Sequence, residues 1–442
     1  MAYVSRRSLV KATAGAAAVG AAVTTLGAKS SVFAAPALIQ STGSQVEVKY
    51  WTSFGSGVNG DAQTKLIEDF QAANPDIKIT PSIHASYEDL AAALVAALQT
   101  GDEPHVAILS DVWWFRFYLA EALADLTPLL SAEGIDTADY VQSLYTEYSR
   151  NGGQYAVPFA RSTPLLYFNQ DALDAAGLDS TIFAKWSTFR EAAPSLVGGT
   201  NEYAFGFGNA ASYGAWVLQG AVWAFGGRYS DEDFNILINQ PEAVAAGEFF
   251  REFVQSGNAT TTEDPQTDFV TGLTSGILAS TGSLGSIKSA ATFNFGTAFL
   301  PEEVQFGCCT GGSGLSIIAT APDEVKAAAI KFLDFQTNTE NATYWSQTTG
   351  YMPVRTSSVE SDAEVAFLAE NPNAQVAIDQ LPKTQPQDSA RVFIPGGDQI
   401  LGRGWEQILV TNTPAQEAFD AVADELEGEK EAVLEQIAAI EG

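Results

Sequence analysis

Val46-Glu47-Val48-Lys49-Tyr50-Trp51 alternates apolar and polar residues in the manner of a β-strand, and the chain out to Leu109 repeats that theme with helices between. Thr52 to Gly60 reads as a polar, glycine-rich turn, and a helix fits Asp61 to Ala73, where Leu66, Phe70 and Ala73 share one face. Asn74-Pro75-Asp76 stops that helix. Ile77 to Ile83 alternates again. Ser86 has the chemistry of an N-cap for a helix through Leu98, and Gly101 to Pro104 separates it from an apolar strand, His105 to Leu109. Strand, helix, strand, helix, strand predicts a parallel sheet covered by helices, an α/β fold.

Downstream, Trp113 to Leu123 reads as a bulky helix and Gly153 to Phe159 as an extended segment leading into Pro164-Leu165-Leu166-Tyr167-Phe168-Asn169, after which the rhythm restarts. Helices are expected at 171–176, 188–193, 214–222, 241–255, 267–274, 321–336 and 414–440. Breaks near Gly152, Gly307 and Pro382 are candidate passages between two lobes, which a chain of this length needs because one core rarely grows so large. No repeat of fixed period is present.

The N-terminus carries Ser5-Arg6-Arg7-Ser8-Leu9-Val10-Lys11, then Ala, Gly, Val and Thr to Ala28, with small residues at Ala34 to Ala37 suited to cleavage. Residues 1–37 therefore read as a twin-arginine signal peptide, giving a periplasmic mature protein. Losing Arg6, Arg7, Lys11 and Lys29 moves the formal charge from −31 to −35. So acidic a protein repels nucleic acid and anionic lipid, and no nucleic-acid partner is expected. Cys308 and Cys309 are adjacent, a spacing that forms a disulfide only with strain, and are read as buried thiols in a strand. With His84 and His105 as the only histidines, neither a metal cluster nor a cofactor is expected.

Ala73-Asn74-Pro75-Asp76, Val157-Pro158-Phe159, Pro164 to Asn169 with Ala176-Gly177-Leu178, Ala329-Ile330-Lys331-Phe332-Leu333 and Thr349-Gly350-Tyr351-Met352-Pro353-Val354 occur in an order that resembles the family 1 extracellular solute-binding proteins. That resemblance covers nearly the whole mature chain. It implies a periplasmic-binding-protein-like fold of type II, like the maltose-binding proteins, with two α/β lobes joined by a three-segment hinge. The lobes are expected at 38–158 plus 305–380 and at 159–304 plus 381–442. It also implies a monomeric receptor that hands a small polar solute to an ABC permease pair and performs no chemistry.

The branch of the family that binds glycerol 3-phosphate is nearest, and its ligand contacts can be followed along this sequence. By that resemblance Tyr87 approaches a glycerol unit, Asp111 stands where the family has a glutamate that accepts from hydroxyls, and Ser162 contacts ligand. Tyr213 and Trp216 occupy the positions of two cleft tryptophans, Ser280 and Ser283 supply the next contact, and Gly312, Tyr351 and Arg391 complete the set. Asp111 is shorter than the family glutamate, and Tyr213 replaces a tryptophan, so the glycerol end of the pocket differs.

Read from chemistry, a phosphate ester needs converging donors to offset its lost water, and Arg391, Ser162, Ser280, Tyr351 and the Gly312 backbone can supply them. A polyol wants an acceptor such as Asp111 and a platform such as Trp216. The set suits glycerol 3-phosphate or a glycerophosphodiester. A receptor for a neutral mono- or oligosaccharide is the alternative. A secreted hydrolase is a third reading, but the sequence shows no paired-carboxylate, metal or triad pattern for it.

Overall fold

The computed structural model describes residues 45–210 and 213–442; the signal segment read at 1–37 lies outside them. Ten strands form two five-stranded sheets. In chain order they are β1 (Val46–Thr52), β2 (Ile77–Ile83), β3 (Val106–Ser110), β4 (Val157–Ser162), β5 (Pro164–Asn169), β6 (Phe205–Gly208), β7 (Ala259–Thr262), β8 (Gly276–Ser280), β9 (Phe295–Ala298) and β10 (Gly311–Ile317). The helices used below are α1 (Gly57–Ala73), α2 (Tyr87–Thr100), α3 (Gly214–Ala224), α4 (Pro241–Gln255), α5 (Asp323–Thr337), α6 (Thr339–Thr349), α7 (Pro372–Gln380), α8 (Ser389–Val392), α9 (Gly397–Leu409) and α10 (Ala415–Glu441).

The first sheet runs β2-β1-β3-β10-β4. Its β2-β1-β3 part is parallel, as the βαβαβ rhythm requires, with Val46 to Thr52 in register with Ile77 to Ile83. The expectation of an all-parallel sheet needs correcting. β10 runs antiparallel to both β3 and β4 because it returns from the other lobe and enters from the opposite end. The second sheet runs β9-β5-β8-β6-β7, again mixed. Two sheet-centred α/β lobes result.

Local chemistry explains the elements that frame the cleft. Ser86 caps α2 by accepting from the Asp89 amide, and Gly101 ends the helix in the left-handed conformation, at φ 72°. Helix α1 starts earlier than its apolar face suggested. A side chain at Gly60 would meet the Gly55 backbone, so the glycine-rich turn folds directly into the helix. The helix read over Trp113 to Leu123 is short, Trp114–Leu119.

The polypeptide passes from the first sheet to the second at Thr163, between fully buried β4 and β5. It returns between β9 and β10, a segment that holds Gly307. Further along the chain, α7 packs on the second sheet. Asn373 bonds Thr297, and the Leu300 amide donates to Gln380, fastening α7 to the second lobe. Cys308 and Cys309 are buried free thiols but lie just outside β10, with a single bridge from Cys309 to Gln385. Burial pushes the Cys309 thiol up to about 12, so it stays protonated.

Candidate functional site

Between the lobes lies a cavity of about 660 Å³. That is a usual size for a small-molecule site. All ten residues singled out in the sequence line it, although they come from widely separated stretches of chain.

The first lobe supplies one wall. Asp111 directly follows β3, and its amide donates to the Gly312 carbonyl at 3.0 Å, so β10 fixes the carboxylate at the sheet's edge. Gly312 adopts φ 101°, and a Cβ there would collide with the Ala160 carbonyl oxygen; no other residue fits. Tyr87 opens α2, and its hydroxyl pairs with Ser313 Oγ at 3.0 Å. Burial pushes the Tyr87 phenol up to about 12. Tyr351 follows the left-handed Gly350 cap of α6 and stacks on Trp345, with ring centroids 5.7 Å apart. Ser162 ends β4 and is buried.

The second lobe supplies the other wall. Ser280 ends β8 and caps the next turn by accepting from the Gly282 amide at 3.1 Å, which brings Ser283 and Gly282 to the cavity. Gly282 lies against the Tyr351 ring so closely that a Cβ would collide with it. Trp216, on α3, donates its Nε1–H to the Thr310 carbonyl at 3.0 Å, and its indole covers Gly311. Tyr213 is the left-handed N-cap of α3 (φ 59°) and remains 38% exposed, a rim residue rather than a floor.

Arg391, on α8, is buried and already paired. Its Nε donates to Asp398 at 2.7 Å; its Nη1 donates to Gln387 and stands 3.4 Å from Asp111 of the opposite lobe. Gln387 also donates to Asp111. Burial works against the guanidinium charge, but the carboxylates of Asp398 and Asp111 more than offset it and hold Arg391 above its ordinary range. The arginine expected among the donors to a phosphate is thus one member of a cluster with two carboxylates.

The lining also includes residues that the sequence did not single out. Ser110 Oγ and Asn59 Oδ1 are buried without a hydrogen-bond partner, and Ser53 lies beside them in the lining. Glu88, Glu263 and Asp264 add carboxylates, and burial raises Glu88 above the usual carboxylate range. Ser110 was recoverable as the neighbour of Asp111. Asn59 was hidden inside the stretch read as a turn. Among the described residues no group of three or more His, Cys, Asp or Glu is placed to hold a metal ion, and no helix is long and apolar enough to cross a membrane.

Residues 65–375 match the family described as bacterial extracellular solute-binding protein. The chain belongs to that family. Among solved structures, this solute-binding protein is 41% identical to UgpB from Mycobacterium tuberculosis in complex with glycerophosphocholine, with a TM-score of 0.83 over 89% of this chain and 99% of that one. It is also 28% identical over 413 residues to the sn-glycerol-3-phosphate-binding periplasmic protein UgpB of Escherichia coli, covering 88% of this chain and 93% of that protein. Maltose-bound T. maritima MalE3, at 22% identity and a TM-score of 0.76, shares the fold. The two-lobed, maltose-binding-like architecture expected from the sequence is the one observed.

Proposed function

We propose that this protein is the receptor of an ABC importer and captures a glycerophosphodiester in the interlobe cavity, through Tyr87, Asp111, Ser162, Tyr213, Trp216, Ser280, Ser283, Gly312, Tyr351 and Arg391. The observation that carries the reading is Arg391 facing Asp111 across the cleft, in a chain 41% identical to a UgpB bound to glycerophosphocholine. Arg391 offers Nη2, which bonds no described residue, to a phosphate oxygen, while Ser162, Ser280 and the Gly312 backbone line the same cavity as further donors. Asp111 accepts from glycerol hydroxyls, and the Trp216 face packs on C–H groups.

The carboxylates favour a ligand that is not simply anionic. Glu88, Glu263 and Asp264 line the same cavity, so a cationic or hydroxylated headgroup meets acceptors there. Ligand bridging the lobes stabilises the closed state by its differential affinity for that state, and a permease pair then reads the closed surface. The receptor itself makes and breaks no bonds. Of the described residues, we assign 45–162 and 311–361 to the first lobe and 163–210, 213–310 and 362–442 to the second, following the sheets they pack on. The Arg6-Arg7 segment is the proposed twin-arginine export signal of a periplasmic, monomeric protein.

Isothermal titration with glycerophosphocholine, glycerol 3-phosphate and maltose tests this. Stoichiometric binding of the diester is expected, with no heat from maltose. Tight maltose binding without any response to phosphorylated glycerols would overturn the reading.

A further inference from the structure

Asp398 stands behind Arg391 and does not line the cavity. It is 7% exposed, in the first turn of α9, and its position is built by glycine. Gly396 takes φ 84°, and a Cβ on Gly397 would collide with the Ala390 carbonyl oxygen, so α9 begins in contact with α8 and brings Asp398 to the Arg391 Nε. The ligand meets the guanidinium from the cavity side; the protein has already filled the rear.

Arg391, Asp111 and Asp398 together carry one net negative charge. The other titratable groups facing Arg391 stay neutral, because burial raises the Cys309 thiol to about 12 and the Tyr229 phenol well above its ordinary value. On the other side Glu88 and Tyr213 face Asp398. Adding a phosphate monoester dianion to this enclosure sets two more negative charges against the cluster. A phosphodiester adds one, and a choline-type cation on the same ligand cancels it.

We propose that Asp398 is a specificity-determining positioning residue: by neutralising Arg391 from behind, it sets the site to accept singly charged phosphodiesters and to disfavour phosphate monoesters. This rests on the reading that a phosphorylated glycerol occupies the cavity. It also makes monoester binding depend on the ligand's own second ionisation, near about pH 6.

The test is calorimetric titration of wild type, Asp398→Asn and Asp398→Glu with glycerophosphocholine and with glycerol 3-phosphate. At neutral pH wild type binds the diester more tightly, and Asp398→Asn shifts the monoester-to-diester affinity ratio by about tenfold or more toward the monoester, one charge interaction of ordinary size. Asp398→Glu restores the wild-type ratio, which a purely structural role for the side chain would not produce. An unmoved ratio in a folded Asp398→Asn protein overturns the proposal. Should that variant not fold, Asp398→Ser, which also removes the charge, is titrated in its place at neutral pH, and a ratio unmoved from wild type overturns the proposal. Wild type that binds neither compound refutes the proposed function itself; binding of both with an unmoved ratio refutes the role of Asp398 alone.

Discussion

Among the described residues three arginines are buried beside carboxylates, Arg161, Arg355 and Arg391; Arg161 at the hinge and Arg391 in the cleft do different work. Arg161 is fully enclosed at the end of β4. It pairs with Glu147, donates to the Tyr148 hydroxyl at 2.6 Å and lies over that ring. Glu147 also accepts from Thr310, just before β10, and the Arg161 carbonyl accepts from the Met352 amide. Glu147 is the one carboxylate in direct contact with Arg161, with Asp111 acting on both from farther away, and the cluster ties together strands entering and leaving the hinge. Arg391 meets two carboxylates, one from each lobe, and borders open space. Charge stoichiometry and access separate a strut from a receptor, although the residue chemistry is the same.

Breaking the strut gives the largest effect. Arg161→Met leaves the partly buried Glu147 (18% exposed) without its cation, and the cost in stability approaches that of an orphan in a fully buried pair, about 3–5 kcal/mol. Urea titration should show that loss, while affinity per folded molecule stays within about twofold, a change small against the free energy of binding. Combining it with Glu147→Gln removes the orphaned charge and should recover most of the stability. If Arg161→Met abolished binding in a fully folded protein, the hinge cluster would be part of the receptor and the contrast would fail.

Breaking the receptor comes next. Arg391→Ala should weaken an anionic ligand by at least about 2 kcal/mol, the scale for removing one partner of a buried charge pair. That is about thirtyfold in Kd. Titration of the variant with glycerophosphocholine measures it. Unchanged affinity would move the phosphate to another part of the cavity.

The contrast between the arginines also marks how far the sequence could be read. Each half of Val46 to Leu109 has its own local pattern, so its strands and helices were legible, and family order led to Arg391 and the nine other residues that line the cavity. Strands such as Phe205–Gly208, Phe295–Ala298 and Gly311–Ile317 were not legible, because glycine and small polar residues interrupt the alternation and their pairing is long-range. The reversed direction of β10 has the same origin: it depends on where the chain returns, not on its residues. Thr163 was not legible as the passage because the polar Arg161-Ser162-Thr163 between the two extended stretches carries no turn signal, and β4 and β5 are buried on either side of it. Asp398 was invisible, since a carboxylate in a first helical turn is ordinary, and its meaning arises only where Gly397 presses α9 onto α8.

The smallest expected effect concerns pH, and it treats the two arginine clusters alike. Burial raises the carboxyls of Glu147 at the hinge and Asp398 in the cleft, together with Asp388, which accepts from Trp223 and Arg228. A carboxyl whose folded-state pKa exceeds its unfolded value binds more protons in the native state across the interval between the two. Stability therefore falls as pH rises through that interval and grows as pH falls through it. Exposed carboxylates oppose this. Hydrogen bonds from Thr80 and Thr320 hold Glu47 and Glu103 below their ordinary range, and their contribution is lost at low pH. Solvent screens those exposed groups, so the buried set dominates, and partial discharge of a chain at −31 adds in the same direction. Scanning calorimetry should show Tm rising by about 1–3 °C between neutral pH and the upper edge of the ordinary carboxylate range, the size a change near 1 kcal/mol gives in a protein this large. A Tm that fell over that interval would mean that the ion pairs with Arg161 and Arg391 outweigh burial, and that both clusters are held by charge rather than tolerated by the fold.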